Sequence, residues 1–98
     1  MSGNVLALDL LANAAATGAA MTWSGGDGCF LAVGSFGGAT VSLQVLGPDR
    51  TTWIDVGAST TLSAQGVATY RLPPGQIRAA VTGGTPSGLY AKAAGIGQ

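Results

Sequence analysis

Histidine and glutamate are both absent from this 98-residue chain, and cysteine occurs once, at Cys29. Without histidine a Ser-His-Asp or Cys-His relay cannot be assembled, and the commonest general base near neutral pH is missing. A single cysteine excludes an internal disulfide, so the fold must rest on packing, which suits assembly in a reducing cytoplasm. One thiol without histidine cannot make a zinc site, and no run of oxygen ligands has EF-hand spacing, so neither a metal nor a cofactor is expected. Charge is scarce: charged residues are 8% of the chain and the formal net charge is zero, against about 25% charged residues in typical soluble domains. The four basic residues, Arg50, Arg71, Arg78 and Lys92, form no cluster, which removes the electrostatic footprint needed to grip a phosphate backbone. Nucleic acid is therefore not an expected partner.

Long hydrophobic runs are lacking as well. The stretch from Val5 to Ala16 superficially suggests a secretory leader, but no Lys or Arg precedes it and Asp9 interrupts it, so secretion by that route is not expected. Broken by Asp9 and Asn13, it is also too short to span a bilayer, and no membrane partner is expected.

What the chain has in abundance is small residues. It contains 17 glycines, and 17 of its hydrophobic residues are alanine. The larger apolar side chains suffice for one core, and a chain of this length should bury about 60–65% of its unfolded surface. A neutral, sparsely charged surface gives little repulsion between molecules; it reads either as a Gly, Ala, Ser and Thr surface that is adequately hydrated or, the favoured reading, as one covered by neighbouring subunits.

Glycine and proline clusters fall between short apolar segments. They include Ser24-Gly25-Gly26-Asp27-Gly28, Phe36-Gly37-Gly38, Gly47-Pro48-Asp49-Arg50, Pro73-Pro74-Gly75 and Gly83-Gly84-Thr85-Pro86-Ser87-Gly88. Turn signals at intervals of roughly 8 to 12 residues are the signature of an all-β sandwich or barrel. The clearest strand is Ala39–Leu46, where Val41, Leu43 and Val45 alternate with Thr40, Ser42 and Gln44. Thr51–Val56 follows as its hairpin partner, with Trp53 or Ile54 able to face the core. Further strands are expected at Ala19–Trp23, Cys29–Ser35, Val67–Leu72, Gln76–Val81 and Leu89–Ala94. The fold class is thus all-β: a single small β-sandwich or jelly-roll-like barrel of about seven to eight antiparallel strands.

The opening segment fits either a strand or a helical face, because Leu6, Leu8 and Leu10 alternate while an alanine-rich sequel follows. It is assigned as an N-terminal arm over residues 1–17, with the sandwich domain over 18–98. Having no turn signals and few polar groups, the arm is expected to lie against a neighbouring subunit through Val5, Leu6, Leu8, Leu10 and Leu11.

Chemistry-bearing residues have structural readings that suffice. Asp27 and Asp49 suit turns and Asp55 a strand flank, so an Asp49–Asp55 acid–base pair is not expected to do chemistry. Gly34-Ser35-Phe36-Gly37-Gly38 lacks the Lys-Ser/Thr ending of a phosphate loop and reads as a hairpin turn. Cys29, beside Phe30 and Leu31, reads as a buried, inert thiol. Arg71 and Arg78 can pair with Asp55 or with a neighbouring subunit, or remain solvated. Trp23, Trp53, Tyr70 and Tyr90 serve core or subunit packing, or alternatively a stacking platform for a sugar. No catalytic residue is assigned, and an enzyme is not expected.

The stretch Thr40-Val41-Ser42-Leu43-Gln44-Val45-Leu46-Gly47-Pro48-Asp49-Arg50-Thr51-Thr52-Trp53-Ile54-Asp55-Val56 resembles a hairpin recurrent in small β-sandwich proteins of tailed bacteriophages. There the turn is commonly Asp-Gly before a Thr-Trp strand; here Arg50 stands in the glycine position. Leu72-Pro73-Pro74-Gly75-Gln76-Ile77-Arg78-Ala79-Ala80-Val81-Thr82-Gly83 resembles the following half of the pattern, and the likeness covers roughly Gly18 to Ala94. The resemblance implies a virion accessory protein of the head decoration or cement type, made in the host cytoplasm and bound to the capsid surface. Its partner would be the major capsid protein, with a homo-oligomer or many copies on one particle. The competing expectation is a carbohydrate- or receptor-binding module of a phage tail or fibre, which would show an exposed aromatic row with polar neighbours.

Overall fold

The computed structural model describes residues 7–95. Nine strands occur among the described residues: β1 (Ala7–Ala14), β2 (Met21–Trp23), β3 (Gly26–Ser35), β4 (Thr40–Leu46), β5 (Trp53–Asp55), β6 (Thr61–Leu62), β7 (Gly66–Leu72), β8 (Gly75–Thr82) and β9 (Ser87–Gly95). They form two antiparallel sheets, one in the order β1-β9-β3-β7 and the other β2-β8-β4-β5, with the short β6 also pairing to β4. β5 and β6 lie in tandem along one edge of β4: Gln44–Leu46 pairs with β5, Val41 and Ser42 with β6. Leu43, between them, donates its amide to the Thr60 carbonyl and accepts from the Val56 amide. Apart from β4, β5 and β6, which follow one another in one sheet, the chain alternates between sheets, and the strand orders are those of a jelly roll, in which two Greek keys are rolled into a sandwich.

This winding changes the role of several turns. Gly34–Gly38 is not a hairpin, because β3 and β4 belong to different sheets and do not pair; it is a corner that carries the chain across the sandwich. Pro73-Pro74 and Gly83–Pro86 are likewise corners between sheets. Two of these corners lock together where Thr85 donates its amide to the Gly37 carbonyl at 3.0 Å. Gly37 and Gly84 have φ of +58° and +60°, a region L-residues enter only under strain.

Gly47–Arg50 is a true hairpin turn, closed by the Gly47 amide on the Thr52 carbonyl at 2.7 Å. Arg50 takes φ +64°, the conformation for which glycine is the ordinary choice. The Asp49 carboxylate supports it by accepting from the Thr51 and Thr52 amides at 3.0 and 2.9 Å and from the Thr52 hydroxyl at 2.6 Å.

The core lies between the sheets. Val41 and Leu43 of β4 project inward, as the alternation required, and meet Ile77 and Ala79 of β8 and Phe30, Leu89, Ala91 and Ala93 from the other sheet. Full burial of a Leu-, Ile- or Phe-sized side chain is worth about 1.5–3 kcal/mol. Trp23 and Tyr70 close one end, their rings 5.2 Å apart and tilted by 53°. Gly28 is the inner β3 residue beneath them, and a Cβ there would lie 2.7 Å from both rings. Glycine is required at that position by space.

Residues 7–14, expected in an arm, are an integral edge strand of the first sheet. β1 pairs with β9 from Ala7↔Ala94 to Ala14↔Leu89, with register shifts between Asp9 and Leu11 and between Leu11 and Ala14. At such irregularities consecutive side chains can share a face, and Leu10 and Leu11 are both buried in this chain's own core. They are therefore unavailable to a neighbour, and no boundary falls at residue 17. Leu8 is partly buried against the same core, while Val5 and Leu6 lie outside the described residues.

Candidate functional site

Sheets in a sandwich have an inner face that makes the core and an outer face that meets water. On the β2-β8-β4-β5 sheet the outer face is polar and internally bonded. Arg78 Nε donates to Gln44 Oε1 at 2.8 Å, and Gln44 Nε2 donates to Asp55 Oδ1 at 2.9 Å. The Arg78 guanidinium lies 4.3 Å from the centre of the Trp53 ring, a cation–π contact. Gln76 and Thr22 join at 2.9 Å. Arg78 and Asp55 are thus linked through Gln44 rather than paired directly.

The outer face of the β1-β9-β3-β7 sheet is different. Registers across its strands align Asp9, Lys92, Leu31 and Val67 in one row, Ala7, Ala94, Cys29 and Thr69 in the next, and Tyr90 with Val33 on the other side. Leu31 is 38% exposed, Val33 46%, Tyr90 50% and Val67 61%. These are four of the five large hydrophobic side chains that the described residues expose, the fifth being Ile54 near the edge of the other sheet. Leu31, Val33, Tyr90 and Ala12, together with Asp9 and Lys92, line an open groove of about 430 Å³ over β1, β9 and β3.

Alternation on β3 explains the placement. Gly28, Phe30 and Ala32 face the core, so Cys29, Leu31 and Val33 must face out. Cys29 is accordingly partly exposed rather than buried. At one end of this face Arg71 pairs with Asp27 across the strands, Nε to Oδ1 at 2.6 Å and Nη2 to Oδ2 at 3.3 Å. The hydrogen bond and charge of Arg71 hold the Asp27 carboxyl below its usual range. Asp49, with three hydrogen bonds from Thr52 and Thr51, is held well below that range too.

The aromatic residues split by environment. Trp23 and Tyr70 are buried in the core, where burial raises the Tyr70 hydroxyl pKa above its ordinary value. Trp53 is covered by Arg78. Tyr90 is the exposed one of the four, with Val33 beside it on β3 and Lys92 and Asp9 lining the same groove. Asp27, Asp49 and Asp55 each hold a separate structural bond. Among the described residues no three His, Cys, Asp or Glu side chains gather in a way that could hold a metal ion, and no helix is long and apolar enough to cross a membrane.

Of the contact residues expected from the sequence, the structure buries Leu10 and Leu11 and brings Leu31, Val33, Val67 and Tyr90 together instead. The available signal was the apolar run Cys29–Val33, in which both alternate positions are hydrophobic; one set had to face away from the core. Comparison with family models, curated proteins and solved structures finds no match for this chain.

Proposed function

We propose that the protein is a non-catalytic structural component of a phage particle, a decoration or cement module that holds capsid surfaces together by adhesion. The observation that carries this reading is the concentration of exposed Leu31, Val33, Val67 and Tyr90 on one sheet face of a chain with 8% charged residues. Contiguous apolar patches of this kind mark protein association surfaces. A rigid sandwich with an apolar outer face needs no preorganised catalytic geometry to work, and many copies multiply modest contacts through avidity.

The jelly roll supports the reading by analogy, being an architecture of viral capsid domains and of lectins. Between these two, the aromatic distribution favours protein adhesion. A sugar platform calls for an exposed aromatic row, and among the described residues Tyr90 is the single exposed aromatic side chain.

Co-sedimentation with heads, and separately with tails, purified from the encoding phage tests the proposal. Saturable pelleting with heads at a fixed ratio to the capsid subunit is the expected result. Pelleting with tails alone, or with neither, overturns it.

A further inference from the structure

We propose that the apolar outer face of the β1-β9-β3-β7 sheet is covered by the same face of a second copy of this chain, giving a two-fold symmetric dimer. The inference rests on the adhesion reading and names the partner of that site.

Three features select a second copy. The first is area. β1, β9, β3 and β7 are 8, 9, 10 and 7 residues long, and at ~3.3 Å per residue with strands ~4.8 Å apart they make a face of roughly 540 Å² in projection. With side-chain relief added, this approaches the about 800 Å² that each partner contributes to a standard-size interface.

The second is charge. The face carries two acids, Asp9 and Asp27, and two bases, Lys92 and Arg71. It is neutral as a unit, so a copy of itself meets no excess of like charge. Asp9 and Lys92 stand side by side on β1 and β9, and no ion pair between them accompanies the Asp27–Arg71 pair among the described residues. Either group can engage its opposite number across a two-fold axis, as an isologous interface requires.

The third is the arrangement of polarity. Cys29, Leu31 and Val33 on β3 and Val67 beside Leu31 on β7 form the apolar patch, bordered by Lys92 and Asp9 on the other side of Leu31 and by the Asp27–Arg71 pair at one end. An apolar centre with a polar margin is the anatomy of a homodimer interface. Stacking these faces continues the sandwich logic, sheet upon sheet about 10 Å apart. The polar β2-β8-β4-β5 faces then point outward in both copies.

Sedimentation velocity of the purified protein over about 1–200 µM is the test, paired with the rate of maleimide addition to Cys29, which lies on this face and is the only thiol. The dimer predicts a species of twice the 9.5 kDa chain mass and Cys29 labelling that slows as concentration rises. Leu31→Lys should shift the protein to monomer and restore rapid labelling without changing its circular dichroism, whereas Ile54→Lys should leave the dimer intact. Val67→Lys provides a second disrupting substitution should Leu31→Lys fail to fold. A monomer throughout the concentration range overturns the proposal, as does a dimer broken by Ile54→Lys and indifferent to Leu31→Lys and Val67→Lys. A monomer that still pellets with heads, and loses that binding on Leu31→Lys, would reject self-pairing while leaving adhesion intact. A dimer that pellets with no particle would reject the function and keep the pairing.

Discussion

The two outer faces of this sandwich are built on the same pleated geometry but solve the problem of meeting water differently. On the β2-β8-β4-β5 sheet, Arg78, Gln44, Asp55 and Trp53 satisfy one another, and the surface needs no partner. On the β1-β9-β3-β7 sheet, Leu31, Val33, Val67 and Tyr90 remain exposed, and the surface gains free energy only when something covers it. The contrast teaches that charge alone does not make a face polar: one face joins Arg78, Gln44 and Asp55 into a network, while the other carries Asp9, Lys92, Asp27 and Arg71 yet leaves Leu31, Val33, Val67 and Tyr90 uncovered.

The sharpest test of that contrast sets adjacent residues of one strand against each other. Phe30 is fully buried and Leu31 is 38% exposed on the opposite side of β3. Phe30→Ala should cost about 3–5 kcal/mol in urea denaturation, whereas Leu31→Ala should cost less than about 1 kcal/mol in the monomer. Equal losses would mean that the outer face is itself part of the core.

A smaller loss is expected at Gly28, where an added methyl meets the Trp23 and Tyr70 rings at 2.7 Å. Gly28→Ala should lower stability by about 1–3 kcal/mol, with a change in the near-ultraviolet circular dichroism of the two rings. An unaltered spectrum and midpoint would show that this end of the sandwich can yield.

Removing the network on the polar face should cost less again. Arg78→Ala forfeits the Trp53 contact and the bond to Gln44, together about 1 kcal/mol. Its sedimentation should match the wild type. A change in association state would erase the proposed division of labour between the faces.

The smallest effect concerns acid. Asp49 and Asp27 have folded pKa values below their ordinary 3.8, so their stabilising contribution is complete above that value and is lost as pH falls through the depressed folded values. Stability should therefore begin to fall near about pH 4 and decline further below it. Asp49→Asn should flatten this acid limb more than Asp27→Asn, because Asp49 holds three hydrogen bonds in the β4–β5 hairpin while Asp27 holds one exposed pair. The reverse order, measured by thermal melts between pH 2 and 7, would place the sensitivity on the apolar face instead.

Much of the β framework was legible because alternation and turn chemistry are local. Val41, Leu43 and Val45 are on one side of β4 as their spacing required, and the strands expected at Gln76–Val81 and Leu89–Ala94 lie within β8 and β9. The two-residue β6 escaped because Thr61 and Leu62 carry no period of their own; β4's open edge makes them a strand. The candidate face was only half legible. Hydrophobic residues at successive positions of Cys29–Val33 do not say which set is inward until Gly28 is fixed beneath Trp23 and Tyr70.

The sequence by itself determined that this protein is all-β, that it cannot carry a histidine-based relay or an internal disulfide, and that its hairpin turns at Gly47–Arg50. Those properties follow from composition and from periodicities only a few residues long. The tertiary structure alone decided that Gly34–Gly38 crosses between sheets, that irregular pairing on β9 turns both Leu10 and Leu11 inward, and that Leu31, Val33, Val67 and Tyr90 share one surface. Each of these depends on pairing between distant segments, whose register is set by the packing of the whole core.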